Sequence, residues 1–111
     1  MIKELNSMKS RIVVGLMLIG FCVSFKVSAQ DAGAIAIGEK TYQQYCAACH
    51  GAQMKNPQWG FDLGKFPRDS KIRFIDSVTY GKNAMPPWED VLSKEQLEAL
   101  WAYLQSVPAS L

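Results

Sequence analysis

The most distinctive chemistry in this 111-residue chain sits in one run, Cys46-Ala47-Ala48-Cys49-His50. Cys-x-x-Cys-His is the attachment pattern of a c-type haem. Two thiols three residues apart at a helix end reach the two vinyl groups along one side of a porphyrin and become thioethers. The adjoining imidazole then swings beneath the iron. Two other chemistries use a close cysteine pair. A structural zinc takes four protein ligands, and past the N-terminal segment only these three plausible N and S ligands remain. A redox dithiol belongs beside a βαβ pattern, and no such pattern is present. One covalently attached haem c is the expected cofactor, held by Cys46 and Cys49.

His50 is the only histidine, so two imidazoles from one chain cannot bracket the iron. The candidates for the other axial position are Met54 and Met85. Met54 follows His50 by four residues, and even an extended connection of that length spans only about 14 Å. That hardly clears the edge of the ring and returns to its centre, so Met54 reads as a loop hydrophobe near the cofactor. Met85 lies far downstream in Gly81-Lys82-Asn83-Ala84-Met85-Pro86-Pro87-Trp88. Pro86 biases Met85 towards an extended backbone, and the proline pair stiffens the loop that must present the sulfur. His50 and Met85 are the expected iron ligands. The alternative at that position is water, Lys82 or nothing in place of Met85, and an open sixth position would make the chain a haem enzyme or gas sensor instead.

Residues 1–29 read as a secretory signal peptide, with the basic Lys3, Lys9 and Arg11, an apolar run from Ile12 to Val23, and Val27-Ser28-Ala29 before the cut. The apolar run is shorter than the roughly 20 residues of a membrane span. Cys22 leaves with the leader; a retained leader would anchor the domain instead. The leader holds four of the 12 Lys and Arg and one of the 10 Asp and Glu. Residues 30–111 therefore keep eight bases and nine acids, a net charge of −1. Bulk positive charge cannot drive nucleic-acid binding in such a chain. The domain should be periplasmic, without a membrane span once cleaved, and monomeric.

The 82 residues of the mature segment form one domain with a thin core. Three helices are expected, and no period-2 run reads as a strand, so the fold class is all-α. The first helix covers about Ala32 to Cys49, with Asp31 as cap and Ile35, Gly38, Tyr42, Tyr45/Cys46 and Cys49 on one stripe. The second starts at Asp69, buries Ile72, Ile75 and Val78, and stops at Gly81. In the third, Ser93 and Gln96 form a capping box ahead of Leu97, Leu100, Trp101 and Leu104, and Pro108 ends it. The connection from Gly51 to Arg68 carries Trp59, Phe61, Leu63 and Phe66, apolar side chains that neither neighbouring helix obviously covers. A loop of that length in a small domain is expected to wrap something functional.

These residues, in this order, resemble the class I cytochromes c: Gly38, Tyr42, the Cys-x-x-Cys-His run, the Met85-Pro86 pair and Leu100-Trp101-Ala102-Tyr103-Leu104. The resemblance implies crossed N- and C-terminal helices, a short middle helix, and loops wrapped around haem. It also implies that Gly38 admits an aromatic of the last helix, Tyr103 or Trp101. The carbonyl of Pro57 would hold the second ring nitrogen of His50, and Pro57, Trp59, Leu63 and Trp88 would line the haem pocket. A carrier with both axial positions filled moves one electron by outer-sphere transfer and is not an enzyme.

A narrower likeness rests on Phe61-Asp62-Leu63-Gly64-Lys65-Phe66-Pro67 together with Met85-Pro86-Pro87-Trp88. These runs are similar to small periplasmic cytochromes that accept electrons from quinoprotein (PQQ-dependent) alcohol dehydrogenases, although those often carry Arg where this chain has Gly64. The likeness implies such a dehydrogenase as donor and an oxidase or another cytochrome as acceptor. Membership as a haem subunit of a larger redox complex is the alternative. Lys65, Arg68, Lys71, Arg73 and Lys82 crowd the middle of the chain, whereas Glu89, Asp90, Glu95 and Glu98 follow it. Such a split could orient the molecule against a charged partner.

Overall fold

Helix α1 spans Ala29–Tyr45, starting ahead of the expected Ala32, in a computed structural model that describes residues 28–110. The leader read at 1–29 lies, apart from Ser28 and Ala29, outside the described residues. Asp31 is not a cap: it sits inside the first turn of α1, where its carboxylate suits the positive end of the helix dipole. Nor does the helix run unbroken to Cys49. At Cys46 φ opens to −117°, and a single further turn, α2, covers Ala47–His50. The hydrogen bonds bridge the break, with Cys46 N–H donating to Tyr42 O (2.8 Å) and His50 N–H to Cys46 O (3.0 Å). The break therefore redirects the thiol segment without detaching it from α1.

After a 3-10 turn at Leu63–Lys65, helix α3 spans Lys71–Tyr80 and α4 spans Lys94–Ser106. The described residues form no strand, only an isolated bridge between Lys82 and Met85. The all-α fold class stands, with α1 packed across α4 and α3 packed against α4 as well. No described helix is long and apolar enough to cross a membrane.

The crossing depends on Gly38. A Cβ built there would overlap the Ala99 carbonyl and come within 2.8 Å of Tyr103 Cβ. Of the two candidate aromatics, Tyr103 is the one that meets α1, its ring 5.4 Å from that of Tyr42. Trp101 turns to α3 and packs on Phe74 at 5.4 Å. In α4 the capping box forms as read: Gln96 N–H donates to Ser93 Oγ (3.1 Å), and Ser93 N–H donates to the Gln96 side chain (2.9 Å). Leu97, Leu100, Tyr103 and Leu104 are buried along its inner face.

Helix α3 corrects the sequence reading twice. Ser70, not Asp69, takes the N-cap position, and its hydroxyl donates to the Asp69 carboxylate at 3.2 Å and accepts from no helix N–H. Ile72 is 78% exposed, and the buried face runs through Phe74 with Ile75 and Val78 beside it. A phenylalanine ring buries more apolar surface than an isoleucine side chain. Facing Phe74 inward against Phe66 and Trp101 therefore sets the rotation of this helix.

Phe74 also corrects the reading of the long loop. Phe66 is buried edge-on against it at 5.8 Å, with the Arg73 guanidinium 5.0 Å above the Phe66 ring. Met54 is buried too, in the same core as Tyr42 and Leu104. Trp59 and Phe61, by contrast, are 89% and 55% exposed on the protein alone. Arg68 closes the loop by donating to the carbonyls of Leu104 (2.6 Å) and Val107 (3.3 Å) at the C-terminal end of α4. A cation is favourable there, because the last helical carbonyls lack partners.

Candidate haem-binding site

The site is built outward from the end of α1. Cys46 stands at the break, half-buried, and Cys49 lies exposed within α2; both are free thiols. Only Ala47 and Ala48 separate the two thiols, and the Cys49 N–H donates to the Cys46 carbonyl at 3.2 Å, which keeps them within one turn. Burial pushes the Cys46 thiol up to about 11, with the nearby Cys49 adding to the effect, so it is a neutral thiol at neutral pH. Among the described residues no group of three or more His, Cys, Asp or Glu side chains gathers as a metal cage. The thiols and the imidazole are not arranged as a zinc site.

His50 Nδ1 lies 2.8 Å from the carbonyl oxygen of Phe61. A carbonyl can only accept, so Nδ1 carries the proton and Nε2 keeps the lone pair a metal requires. The partner is therefore Phe61, and the reading that Pro57 supplies this carbonyl is corrected. The reason lies one residue upstream of the imidazole. The Cys49 carbonyl collects the N–H groups of Gln58 (3.1 Å), Trp59 (3.3 Å) and Gly60 (3.0 Å). With those three amides fixed on Cys49, the next carbonyl to come alongside the ring is that of Phe61. Gly60 lies against the ring itself, since a Cβ there would stand 2.6 Å from both Cε1 and Nδ1.

Two further bonds fasten the chain behind His50. Tyr42 Oη donates to the Gly51 carbonyl at 2.5 Å, and Gln43 Nε2 donates to the Ala52 carbonyl at 2.5 Å. Burial holds the Tyr42 hydroxyl well above its ordinary range, so it remains a donor.

Met85 sits half-buried at the end of a closed turn. Lys82 N–H donates to Met85 O and Met85 N–H donates to Lys82 O, both at 3.0 Å. Asn83 takes the left-handed conformation (φ 53°) that this turn demands and that asparagine tolerates. Gly81 carries φ 79°, and a Cβ on it would meet Met85 O at 2.7 Å and Pro87 N at 2.9 Å. The loop is thus folded down onto a position only glycine fits. His50 and Met85 occupy the places expected of haem ligands in this fold. Met54 is 1% exposed inside the protein core, packed as a hydrophobe.

The other expected pocket residues lie on the connecting segments. Pro57 is half-buried, Leu63 is half-buried in the 3-10 turn against the core, and Trp88 is half-buried on the Tyr45 ring. The donor set fits a haem: two free thiols within one turn, an imidazole whose Nδ1 is engaged so that Nε2 can coordinate, a thioether on a fixed turn, and exposed aromatic surface at Trp59 and Phe61. Sequence reasoning missed the Phe61 carbonyl, Gly60, and the fastening bonds of Tyr42 and Gln43. A backbone carbonyl leaves no mark in residue type. The chemical signal for Tyr42 was a phenol on a buried stripe, a group that needs a partner once buried.

Residues 33–104 match the family model described as cytochrome C oxidase, cbb3-type, subunit III. Over 100 residues the chain is 33% identical to cytochrome c6 of Nostoc sp., covering 86% of this chain and 87% of that protein. It is 36% identical over 81 residues to cytochrome c550 of Pseudomonas aeruginosa, covering 67% of this chain and 56% of the relative. A cbb3-type cytochrome c oxidase subunit CcoP of Azospirillum sp. is 27% identical over 104 residues, 78% of this chain but 33% of that subunit. The chain thus spans nearly all of the first of these, little more than half of the second and a third of the last. No solved structure matches.

Proposed function

The chain belongs to the class I c-type cytochromes, with one covalently attached haem and the role of an electron carrier rather than an enzyme, and on that premise we propose that it is a periplasmic carrier which takes electrons from a quinoprotein alcohol dehydrogenase and passes them to the respiratory chain. His50 and Met85 would hold its iron, Cys46 and Cys49 would anchor the porphyrin covalently, and Pro57, Trp59, Leu63 and Trp88 would line the pocket. The observation that carries the reading is the imidazole: Nδ1 is engaged by the Phe61 carbonyl at 2.8 Å, and Nε2 is left to coordinate.

The bound haem supplies a reversible Fe(III)/Fe(II) couple, and a thioether ligand raises its potential. The protein's residues do the rest. Phe61 fixes the tautomer and orientation of His50, and Gly60 lets the ring lie flat against the backbone. The turn at Lys82–Met85 holds the sulfur in place. With His50 and Met85 both engaged, no position would be left open for a substrate to enter, and the bound group would supply only one-electron transfer.

The donor proposal rests on the runs Phe61-Asp62-Leu63-Gly64-Lys65-Phe66-Pro67 and Met85-Pro86-Pro87-Trp88, and the periplasmic location rests on the leader. The charge reading narrows in the folded chain. Arg68 is committed to the end of α4, Lys71 pairs with Glu98 at 2.6 Å, and Arg73 lies over Phe66. Lys65 and Lys82 stay exposed, and Lys82 is on the Met85 turn beside the exposed Pro86 and Pro87. Electron-transfer encounters are small and brief, so charge steers them more than buried area does.

The second-order rate of reduction by a quinoprotein alcohol dehydrogenase from the same periplasm is expected to shift about tenfold between low and physiological salt. Lys82→Glu should change it more than Lys94→Glu. A rate indifferent to salt and to both reversals would remove charge from the docking surface, and no reduction by the dehydrogenase at all would remove it as donor. A second reading, a haem subunit of a larger redox complex, is favoured by the family model and by the Azospirillum relative. It predicts that the chain purifies with partners rather than alone.

A further inference from the structure

Trp88 is where the Met85 loop re-enters the protein. Its N–H donates to the carbonyls of Val78 (3.0 Å) and Thr79 (3.2 Å) at the end of α3. Its own carbonyl accepts from Val91 (3.0 Å) and Leu92 (2.9 Å), and Leu92 is buried. The backbone of residue 88 is therefore fixed on the α3 side. Its ring reaches the other way, lying 5.5 Å from the ring of Tyr45 at 57°, a favourable tilted contact. Tyr45 is the last residue of α1 and directly precedes Cys46. Among the described residues this is the aromatic pair that ties the Met85 loop to the thiol-bearing segment.

We propose that the Tyr45–Trp88 ring pair is a latch that keeps the Met85 loop closed on the iron, making both side chains positioning residues for the sixth ligand; the proposal rests on the His50 and Met85 reading above. Only Pro86 and Pro87 separate Met85 from Trp88, and both have a fixed φ. A displacement of Trp88 is therefore passed to Met85 with little slack. At the other end Gly81 lies directly beneath Met85 O and Pro87 N, so the loop has no room to sink and can only lift. The bonds that close the turn at Lys82–Met85 travel with the loop and do not oppose lifting. Lifting is opposed at Trp88, both by its N–H bonds to Val78 and Thr79 and by the ring pair, which lifting would separate.

Carbon monoxide binding to the ferrous holoprotein at neutral pH reads the latch, since the gas enters only when Met85 leaves. Trp88→Leu and Tyr45→Leu are expected to bind it about tenfold faster than the parent, the loss of one aromatic pair. Trp88→Phe should remain close to the parent rate. The double variant Tyr45→Leu/Trp88→Leu should be no faster than either single one, because the two rings act as one contact. Covalent haem and helical circular dichroism should be retained in all four. A folded, haem-loaded Trp88→Leu protein with the parent rate, while Met85→Ala binds fast, would overturn the latch alone. A parent protein as fast as Met85→Ala would instead overturn the ligand assignment beneath it.

Discussion

Replacing both Cys46 and Cys49 with Ala is expected to yield a haem-free and mostly disordered chain, although neither thiol belongs to the fully buried core. Domains of about 80 residues seldom supply enough apolar burial to fold without a staple. Here the buried side chains concentrate where α1 and α3 each pack on α4, from Tyr42 and Phe74 to Leu100 and Leu104. The segment from Gly51 to Phe61 has little such support: Met54 reaches the core, but Trp59 and Phe61 do not. What holds that segment is a set of bonds: Tyr42 and Gln43 of α1 donate to the Gly51 and Ala52 carbonyls, and the rest run to the Cys49 carbonyl and the His50 ring at the end of α2. A covalently attached haem would lock α2 and give those aromatics their surface. Circular dichroism and thermal melting of the double variant check this. Most of the helical signal should be gone, and full helicity with a cooperative melt would overturn the haem-centred core.

Replacing Met85 with Ala should leave covalent haem intact, lower the reduction potential, and take carbon monoxide binding to the ferrous protein from slow to immediate. Thioether ligation favours Fe(II), so its loss shifts the couple downward. The effect is local, because the Lys82–Met85 turn is closed by backbone bonds and does not need the methionine side chain. Met54→Ala makes the informative contrast. Met54 is 1% exposed in the core, so its truncation should cost about 2–5 kcal/mol of stability. It should leave the ligand-sensitive part of the spectrum untouched. Potentiometry and thermal melts on the two variants separate these outcomes; a perturbed iron spectrum in Met54→Ala with an unchanged one in Met85→Ala would reverse the assignment.

Much of this site was legible because its signals are local. Cys46, Cys49 and His50 are adjacent, Met85 is marked by Pro86, and the capping box at Ser93 and Gln96 is a four-residue pattern that folds as written. The close approach at Gly38 came from resemblance to a family, and it took packing to choose Tyr103 over Trp101. Other features depend on contacts between distant segments. Ile72 belongs to a sound helical stripe, yet the pairing of Phe74 with Phe66 rotates it outward. Arg68 reads as one base in a cluster until the end of α4 arrives to accept its hydrogen bonds. The partner of His50 was misplaced at Pro57 because any residue offers a carbonyl. Only the three amides gathered on Cys49 reveal that Phe61 is the one in register.

The central claim is an iron held between His50 and Met85 in a carrier with no open position. The optical spectrum of the oxidised holoprotein tests it most directly, at the weak long-wavelength band that arises when methionine sulfur is bound to ferric haem. The account predicts that band in the parent protein at neutral pH and its disappearance in Met85→Ala. A parent spectrum without it, showing instead the bands of high-spin or nitrogen-ligated ferric haem, would contradict the account.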